Sequence, residues 1–179
     1  LAVGNVLPVN DASLRLWLDA TQLGVGDGSP VASFTDLSSN GNHAVRTTGA
    51  VDPVFVAGGL NGRPTVRFDG TNISTTPVFL NTPVNAPYTV FSVSQMEGTQ
   101  NFRLISSDNK NWLLGYWGGN ADRFFAEGWV HQGNLAPLAN QPRIYGATGT
   151  GALSTLIRNG VQVASNAGGV HAPGSIALG

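Results

Sequence analysis

Hydrophobic and polar residues alternate with a period of two in several short runs. No stretch of eleven or more residues keeps the apolar stripe of an amphipathic helix. Leu14, Leu16 and Leu18 fall on one side of one such run. In another, Phe91 and Val93 alternate with serines, and we expect the apolar members of each run to face a core. Strands are predicted over residues 14–18, 64–68, 88–94, 102–106, 112–116, 123–126, 143–148, 153–158 and 161–164.

Turn-forming residues separate these runs, since the chain holds 24 glycines and 10 prolines. Asn159 and Gly160 lie between two apolar runs and predict a hairpin, because both residues accept the positive φ of a type I′ turn. A parallel α/β sheet is excluded because there are no crossover helices. The sequence therefore predicts an all-β fold, an antiparallel two-sheet sandwich or jelly roll. With no internal repeat or linker, residues 1–179 are expected to form a single domain.

Composition narrows the classes of function. Charged residues make up 11% of the chain, against a usual share of about 25%. Nine basic and ten acidic side chains leave a net charge of −1, with no basic cluster for nucleic acid or a membrane surface. No apolar run approaches the roughly 18 residues that span a bilayer, and the absence of cysteine excludes disulfides and thiolate sites.

The compartment is predicted from the same features. Residues 1–10 lack the charged and apolar regions of a signal peptide, so we expect a mature terminus or the start of an internal module. Lys110 is the single lysine in a chain rich in glycine, asparagine and threonine. This composition is typical of a bacterial protein that is secreted or held at the cell surface.

Three motifs occur in a fixed order along the chain. They are LRLWLDA at 14–20 with DG at 27–28 and DLSSNGNH at 36–43, NGRPTVRFDG at 61–70, and YTVFSVS at 88–94 with LIRNGV at 156–161. Together they resemble the concanavalin A-like (laminin G-like) modules of bacterial extracellular proteins, with Phe34 where a tryptophan is common. The resemblance implies a jelly-roll fold and names no ligand.

One departure from that family concerns the last strand. Such modules usually continue past a strand like SIALG at 175–179 into another with a Gly-x-Ile-x-Glu-Val pattern, which this sequence lacks. One interpretation is a truncated chain that lacks its final strand. The other is an open sheet edge that a like subunit completes by adding a strand.

Few residues suggest catalysis. Glycosidases with this architecture place carboxylates at alternate positions of one strand, whereas Glu97 and Glu127 have no acidic residue two or four positions away. His43, His131 and His171 lie far apart, and neither H-E-x-x-H nor G-x-S-x-G occurs. An enzyme is therefore the less favoured interpretation.

The turn at residues 36–42 is a candidate metal site. Asp36 and Asn40 contribute oxygen atoms of the kind that Ca²⁺ prefers, although the turn is not an EF-hand. The favoured alternative is an Asx-turn network, in which these side chains satisfy backbone groups of the loop. No cofactor is required by the sequence.

Residues 111–132 hold three of the four tryptophans. Aromatic rings stack on the apolar faces of sugars, while amides and charged groups bind the hydroxyls. Trp117 precedes two glycines and is the best candidate for an exposed platform, whereas alternation puts Trp112 on the opposite side of the strand. Core packing is the favoured interpretation for Trp112 and Trp129 and an equal alternative for Trp117. The candidate carbohydrate-binding residues are Trp112, Trp117, Asn120, Asp122 and Trp129.

The sequence favours a secreted or surface, non-catalytic carbohydrate-binding or adhesion module, with a glycan or polysaccharide as its partner. The alternative is a self-assembling subunit of an extracellular fibre or surface layer. A carbohydrate-active enzyme, either a hydrolase or a lyase, is the second alternative. The fold does not choose among them, because function depends on the sites that a fold carries.

Overall fold

The computed structural model describes residues 12–46, 51–69, 76–78, 83–98, 101–133 and 140–179, which form β-strands and one short 3-10 helix, Ala20–Gln22. The strands are β1 Ser33–Phe34, β2 Ala44–Val45, β3 Val54–Leu60, β4 Arg63–Arg67, β5 Thr76–Val78, β6 Tyr88–Ser94, β7 Ile105–Ser106, β8 Trp112–Trp117, β9 Asn120–Ala126, β10 Trp129–Gln132, β11 Arg143–Gly149, β12 Ser154–Arg158, β13 Val161–Asn166 and β14 Ile176–Leu178. No helix among these residues is long and apolar enough to cross a membrane.

The strands form two large antiparallel sheets. Eight strands lie in the order β1-β2-β5-β14-β7-β8-β9-β10, four lie in the order β13-β12-β11-β6, and β3 pairs with β4 alone. Aromatic side chains join the two sheets: the rings of Tyr88 and Trp112 meet edge-on at 6.2 Å between centroids, and those of Tyr145 and Tyr116 at 5.6 Å. The predicted all-β antiparallel sandwich is confirmed.

Strand β8 has the alternation that the sequence predicts. Trp112, Leu114 and Tyr116 are buried in the core between the sheets. Trp117 lies on the outer face of the eight-stranded sheet with 37% of its surface exposed. Leu113 also lies on that face, yet it is almost completely buried, because other side chains cover it.

Strand β6 faces the other way from the prediction. Phe91 and Val93 are 74% and 65% exposed on the outer face of the four-stranded sheet. Tyr88 and Val90 pack against the core instead, and the period of two then turns Ser92 inward. The expectation that Phe91 and Val93 are buried is wrong, because this run has apolar residues on both sides and its larger aromatic anchor, Tyr88, takes the core.

Three predicted segments can be compared with the structure: the hairpin at Asn159 and Gly160, residues 14–18, and the last strand. Asn159 and Gly160 have φ angles of 49° and 81° and join β12 to β13, so the predicted hairpin is confirmed. Residues 14–18, predicted as a strand, form only an isolated antiparallel β-bridge between Leu18 and Asp36. The last strand, β14, pairs with β5 on one side and β7 on the other. Among the described strands, the edges of that sheet therefore lie at β1 and β10, and assembly with like subunits stays a prediction.

Candidate functional site

Three aromatic side chains share the outer face of the eight-stranded sheet. Trp117 ends β8, Phe125 lies on β9, and Trp129 begins β10, so neighbouring strands bring them together. The rings of Trp117 and Trp129 have centroids 6.1 Å apart and planes inclined by 29°. Phe125 meets Trp129 edge-on at 5.0 Å. We call this group, with Arg103 and Arg123, the aromatic surface.

The two arginines lie against the tryptophan rings. The Cζ atom of Arg123 is 5.1 Å from the ring centroid of Trp117 and 5.3 Å from that of Trp129. The Cζ atom of Arg103 is 5.7 Å from the Trp117 centroid. All three distances lie within the range of about 6 Å for cation–π attraction. The rings therefore hold both guanidinium groups in place on this surface.

A shallow cavity opens at the aromatic surface. Its volume is about 160 Å³, which is smaller than the roughly 300–1,000 Å³ of pockets that enclose a whole small ligand. It therefore fits one ring or one substituent of a longer chain. The lining residues are Arg103, Asn111, Leu113, Trp117, Phe125 and Trp129.

Hydrogen bonds fix one side of this cavity. Nη2 of Arg103 donates to Oδ1 of Asn111 at 2.8 Å. The backbone N–H of Asn111 donates to Oε1 of Glu127 at 2.8 Å, and the N–H of Glu127 donates to the carbonyl of Asn111 at 2.9 Å. Glu127, considered for catalysis from the sequence, thus uses its carboxylate to close the turn between β9 and β10. Burial lowers the pKa of Arg103, although an arginine remains protonated at neutral pH.

The turn from β8 to β9 presents Trp117. Trp117 pairs with Asn120, and the two residues between them, Gly118 and Gly119, have φ angles of 59° and 72°. Positive φ at both central positions is the geometry of a type I′ hairpin turn, which glycine adopts without strain. Nδ2 of Asn120 donates to the carbonyl of Gly118 at 2.8 Å, so this predicted site residue shapes the turn beside the tryptophan.

Asp122 does not reach the aromatic surface. It is 5% exposed, and its Oδ1 accepts a hydrogen bond from the hydroxyl of Tyr145 at 2.8 Å and lies 3.2 Å from Nε of Arg143. Its Oδ2 pairs with Arg158. Burial, then the nearby Tyr116 and Asp122, raises the pKa of Tyr145, so its phenol stays protonated and donates. The network joins the two sheets and is internal to the protein.

Trp112 is also internal. It is completely buried, and its Nε1 donates to the hydroxyl of Tyr88 at 3.1 Å. Of the five candidate residues, the structure thus brings together Trp117 and Trp129, places Asn120 in the adjoining turn, and puts Trp112 and Asp122 in the interior.

The predicted metal turn is occupied by hydrogen bonds. Oδ1 of Asp36 accepts the backbone N–H groups of Trp17 and Ser38, both at 2.9 Å. Oδ2 accepts the hydroxyl of Ser38 at 2.7 Å and the N–H of Asn42 at 2.8 Å. Burial alone would raise the pKa of Asp36, but these hydrogen bonds outweigh it and hold the pKa below its usual value.

Asn40 completes this turn by donating from Nδ2 to the carbonyl of Leu14 at 2.7 Å. A carboxylate has about four lone-pair sites, and four donors already use those of Asp36. This arrangement favours the Asx-turn network over a calcium site. Within the described ranges, no three histidine, aspartate or glutamate side chains are grouped as metal ligands, and calcium binding at Asp36 and Asn40 stays a prediction.

Comparison with known proteins adds no assignment to this geometry. The chain matches no protein-family model, no curated protein and no solved structure. The aromatic surface itself is therefore the feature that indicates a function.

Proposed function

We propose that the chain is a secreted or cell-surface, non-catalytic carbohydrate-binding or adhesion module of the concanavalin A-like type, and that it binds glycan at the aromatic surface. The observation that supports this most is the stacking of the Trp117 ring on the Trp129 ring across strand β9, beside a small cavity lined by Arg103 and Asn111. Indole rings offer an apolar platform to the C–H face of a sugar, and the polar groups bind its hydroxyls.

The cavity size agrees with this proposal. A space of about 160 Å³ at the surface suits a single residue of a longer glycan, whose remaining units extend over the sheet. Trp117 provides exposed aromatic area, while Leu113 beneath the cavity gives it an apolar floor. The rigid strands of the eight-stranded sheet position these groups before any ligand arrives, which limits the entropy that binding costs.

A glycan array tests the proposal, with the wild type compared with Trp117→Ala. Loss of an aromatic anchor costs more than about 1.4 kcal/mol, which corresponds to at least tenfold weaker binding. Phe91→Ala is the matched control, because Phe91 is an exposed aromatic residue on the other sheet. We expect binding to persist in the control. A wild-type protein that binds no glycan, or equal losses in both variants, would contradict the proposal.

A second candidate, self-assembly into a fibre or surface layer, is favoured by the outer face of the four-stranded sheet. Phe91, Val93 and Ile144 are exposed there, and Val93 pairs directly with Ile144. Within the described part of the chain, β6 is an edge strand, and its seven residues carry no charge. An uncharged apolar edge strand invites pairing with a second copy.

Sedimentation over a range of concentrations tests this candidate. Assembly through β6 predicts that the mass rises with concentration and that Val93→Lys, a charge on the outer face of the strand, restores the monomer. A wild-type protein that remains a monomer throughout would contradict self-assembly.

A further inference from the structure

We infer that the aromatic surface selects saccharides that carry a carboxylate or sulfate group, and that Arg103 and Arg123 bind this anionic group. The inference rests on the proposed function above and names the class of glycan. It depends on the charge, the hydrogen bonding and the geometry of the two guanidinium groups.

Arg103 and Arg123 place positive charge on the aromatic surface. Both guanidinium groups lie within 6 Å of the ring centroid of Trp117, so two positive charges share one small surface. The ion pairs found across the described residues involve other arginines, and neither Arg103 nor Arg123 pairs with a carboxylate. The carboxylate of Glu127 is engaged by the backbone N–H of Asn111. Neither guanidinium group of the surface is therefore matched by an ion pair within the described part of the protein.

This charge contrasts with the rest of the molecule. The whole chain has a net charge of −1 and only nine basic side chains. The other buried or half-buried arginines, Arg143 and Arg158, are matched by Asp122. Two unmatched arginines at one site of a nearly neutral chain indicate an anionic ligand rather than a general basic surface.

The two arginines also have hydrogen-bond donors that the described residues do not use. Arg103 gives one N–H to Oδ1 of Asn111, which fixes its orientation and leaves its other donors for a ligand. Nε of Arg123 is buried and has no hydrogen-bond partner among the described residues. Burial also lowers the pKa of Arg103, which means that its charged form is destabilised where it stands. A bound anion would remove that penalty, whereas a neutral sugar would not.

The geometry of the guanidinium groups suits an anionic group attached to a sugar. A guanidinium group presents its donors in a plane, which matches the oxygen atoms of a carboxylate or sulfate. The tryptophan rings hold both guanidinium groups in place, so little side-chain entropy is lost on binding. Trp117 and Trp129 then contact the sugar ring that carries the anionic group. A simple anion would lack that ring and use only half of the surface.

Titration calorimetry with matched ligand pairs tests the inference. One pair is an oligogalacturonate and its methyl ester, and the other is a sulfated galactan oligosaccharide and its desulfated form. We expect the anionic member of at least one pair to bind at least tenfold more tightly, and the pair that responds separates carboxylate from sulfate. Raising NaCl from about 50 to 300 mM should weaken that binding and leave the neutral member unaffected.

Three variants assign the preference to residues. Arg103→Gln and Arg123→Gln should each lower the ratio of affinities for the anionic and the neutral member by at least fivefold. Arg63→Gln is the control, since Arg63 is exposed on β4, away from the aromatic surface. Urea denaturation of each variant shows whether it is folded. If Arg123→Gln does not fold, Arg103→Gln still tests the inference, because it changes a half-buried side chain that lines the cavity.

The outcomes separate the inference from the proposed function. Equal affinity for both members of each pair, or a preference that survives both arginine variants, would overturn the inference and leave the proposed function standing. Equally tight binding of a short single-stranded DNA of the same charge would also overturn it, because this would show attraction to any polyanion. No binding of any member would overturn the proposed function as well.

Discussion

Replacing Asp122 tests whether a buried ion-pair network joins the two sheets. The carboxylate lies 3.2 Å from Nε of Arg143, which is only 4% exposed, and pairs with Arg158 on its other oxygen. It also accepts the hydroxyl of Tyr145 at 2.8 Å. Asp122→Asn keeps the size of the side chain and the positive φ of 61°, which asparagine tolerates, and removes the charge and one of the two acceptor oxygens.

The magnitude follows from what the change leaves behind. Removing one partner of a buried ion pair costs about 3–5 kcal/mol, because the remaining charge is buried without compensation. Since Arg158 is partly exposed and can reach water, we expect a loss near the lower end, about 3 kcal/mol, for Asp122→Asn. Asp122→Ala should lose about 1–2 kcal/mol more, because alanine at positive φ is strained.

Urea denaturation at pH 7 measures these losses. The double variant Asp122→Asn with Arg143→Met should be more stable than the two single losses together predict, by about 1 kcal/mol or more, since no unpaired charge remains at Arg143. Glu97→Gln is the control: its exposed pair with Arg67, at 4.0 Å, should contribute less than about 0.5 kcal/mol. A loss below about 1 kcal/mol for Asp122→Asn would refute the reasoning.

The remaining predictions concern single contacts. The pKa of Asp36 is lowered in the folded state, so its ionised carboxylate stabilises the protein at neutral pH. This stabilisation is lost as pH falls below the ordinary carboxyl pKa of about 4. Urea denaturation from pH 7 to pH 3 should therefore show that the stability difference between wild type and Asp36→Asn becomes smaller in acid. Adding EDTA should leave the melting temperature unchanged; a fall in the wild type that Asp36→Asn does not show would instead demonstrate a bound cation at this turn. Gly128→Ala should destabilise by about 3 kcal/mol in the same denaturation assay, since its Cβ would lie 2.0 Å from the carbonyl oxygen of Gly168; an unchanged midpoint would contradict that close approach. Tyr88→Phe leaves Nε1 of Trp112 buried without its acceptor and should cost about 1–3 kcal/mol, whereas an unchanged stability would show that this hydrogen bond contributes nothing.

Local alternation predicted the two faces of β8 but not those of β6. In β8 it separated Trp112 from Trp117, and the structure places them in the core and on the outer face. In β6 it failed, because Val90 lies on one side of the strand and Phe91 and Val93 on the other. Only the packing of the second sheet decides which side faces inward, and the sequence of a single strand does not contain that information.

Residues 14–18 show a different limit. The run alternates like a strand, yet its backbone is satisfied by side chains of the turn at residues 36–42. The N–H of Trp17 donates to Asp36, and the carbonyl of Arg15 accepts from Nδ2 of Asn42 at 2.6 Å. Such hydrogen bonds replace a strand ladder and depend on residues 19 to 27 positions away. Conversely, β3 was not predicted, because its two glycines, Gly58 and Gly59, lower strand propensity.

The sequence predicted only part of the candidate site. The density of aromatic residues identified Trp117 and Trp129, but no local pattern marks Arg103, which joins them because the chain around β7 lies next to β8. The sequence also predicts Asp122 for this surface, because it lies in the aromatic segment and a carboxylate binds sugar hydroxyls. Its partners Arg143 and Arg158 are 21 and 36 positions along the chain, so only the fold shows that it is internal.

The most direct test of the central claim is an NMR titration that follows the side-chain N–H signals of the four tryptophans as a bound glycan is added. We expect the indole signals of Trp117 and Trp129 to shift together with the same affinity. Trp112 serves as an internal reference, because its N–H is buried against Tyr88 and should not respond. Saturable binding that leaves Trp117 and Trp129 unmoved would contradict the assignment of the site.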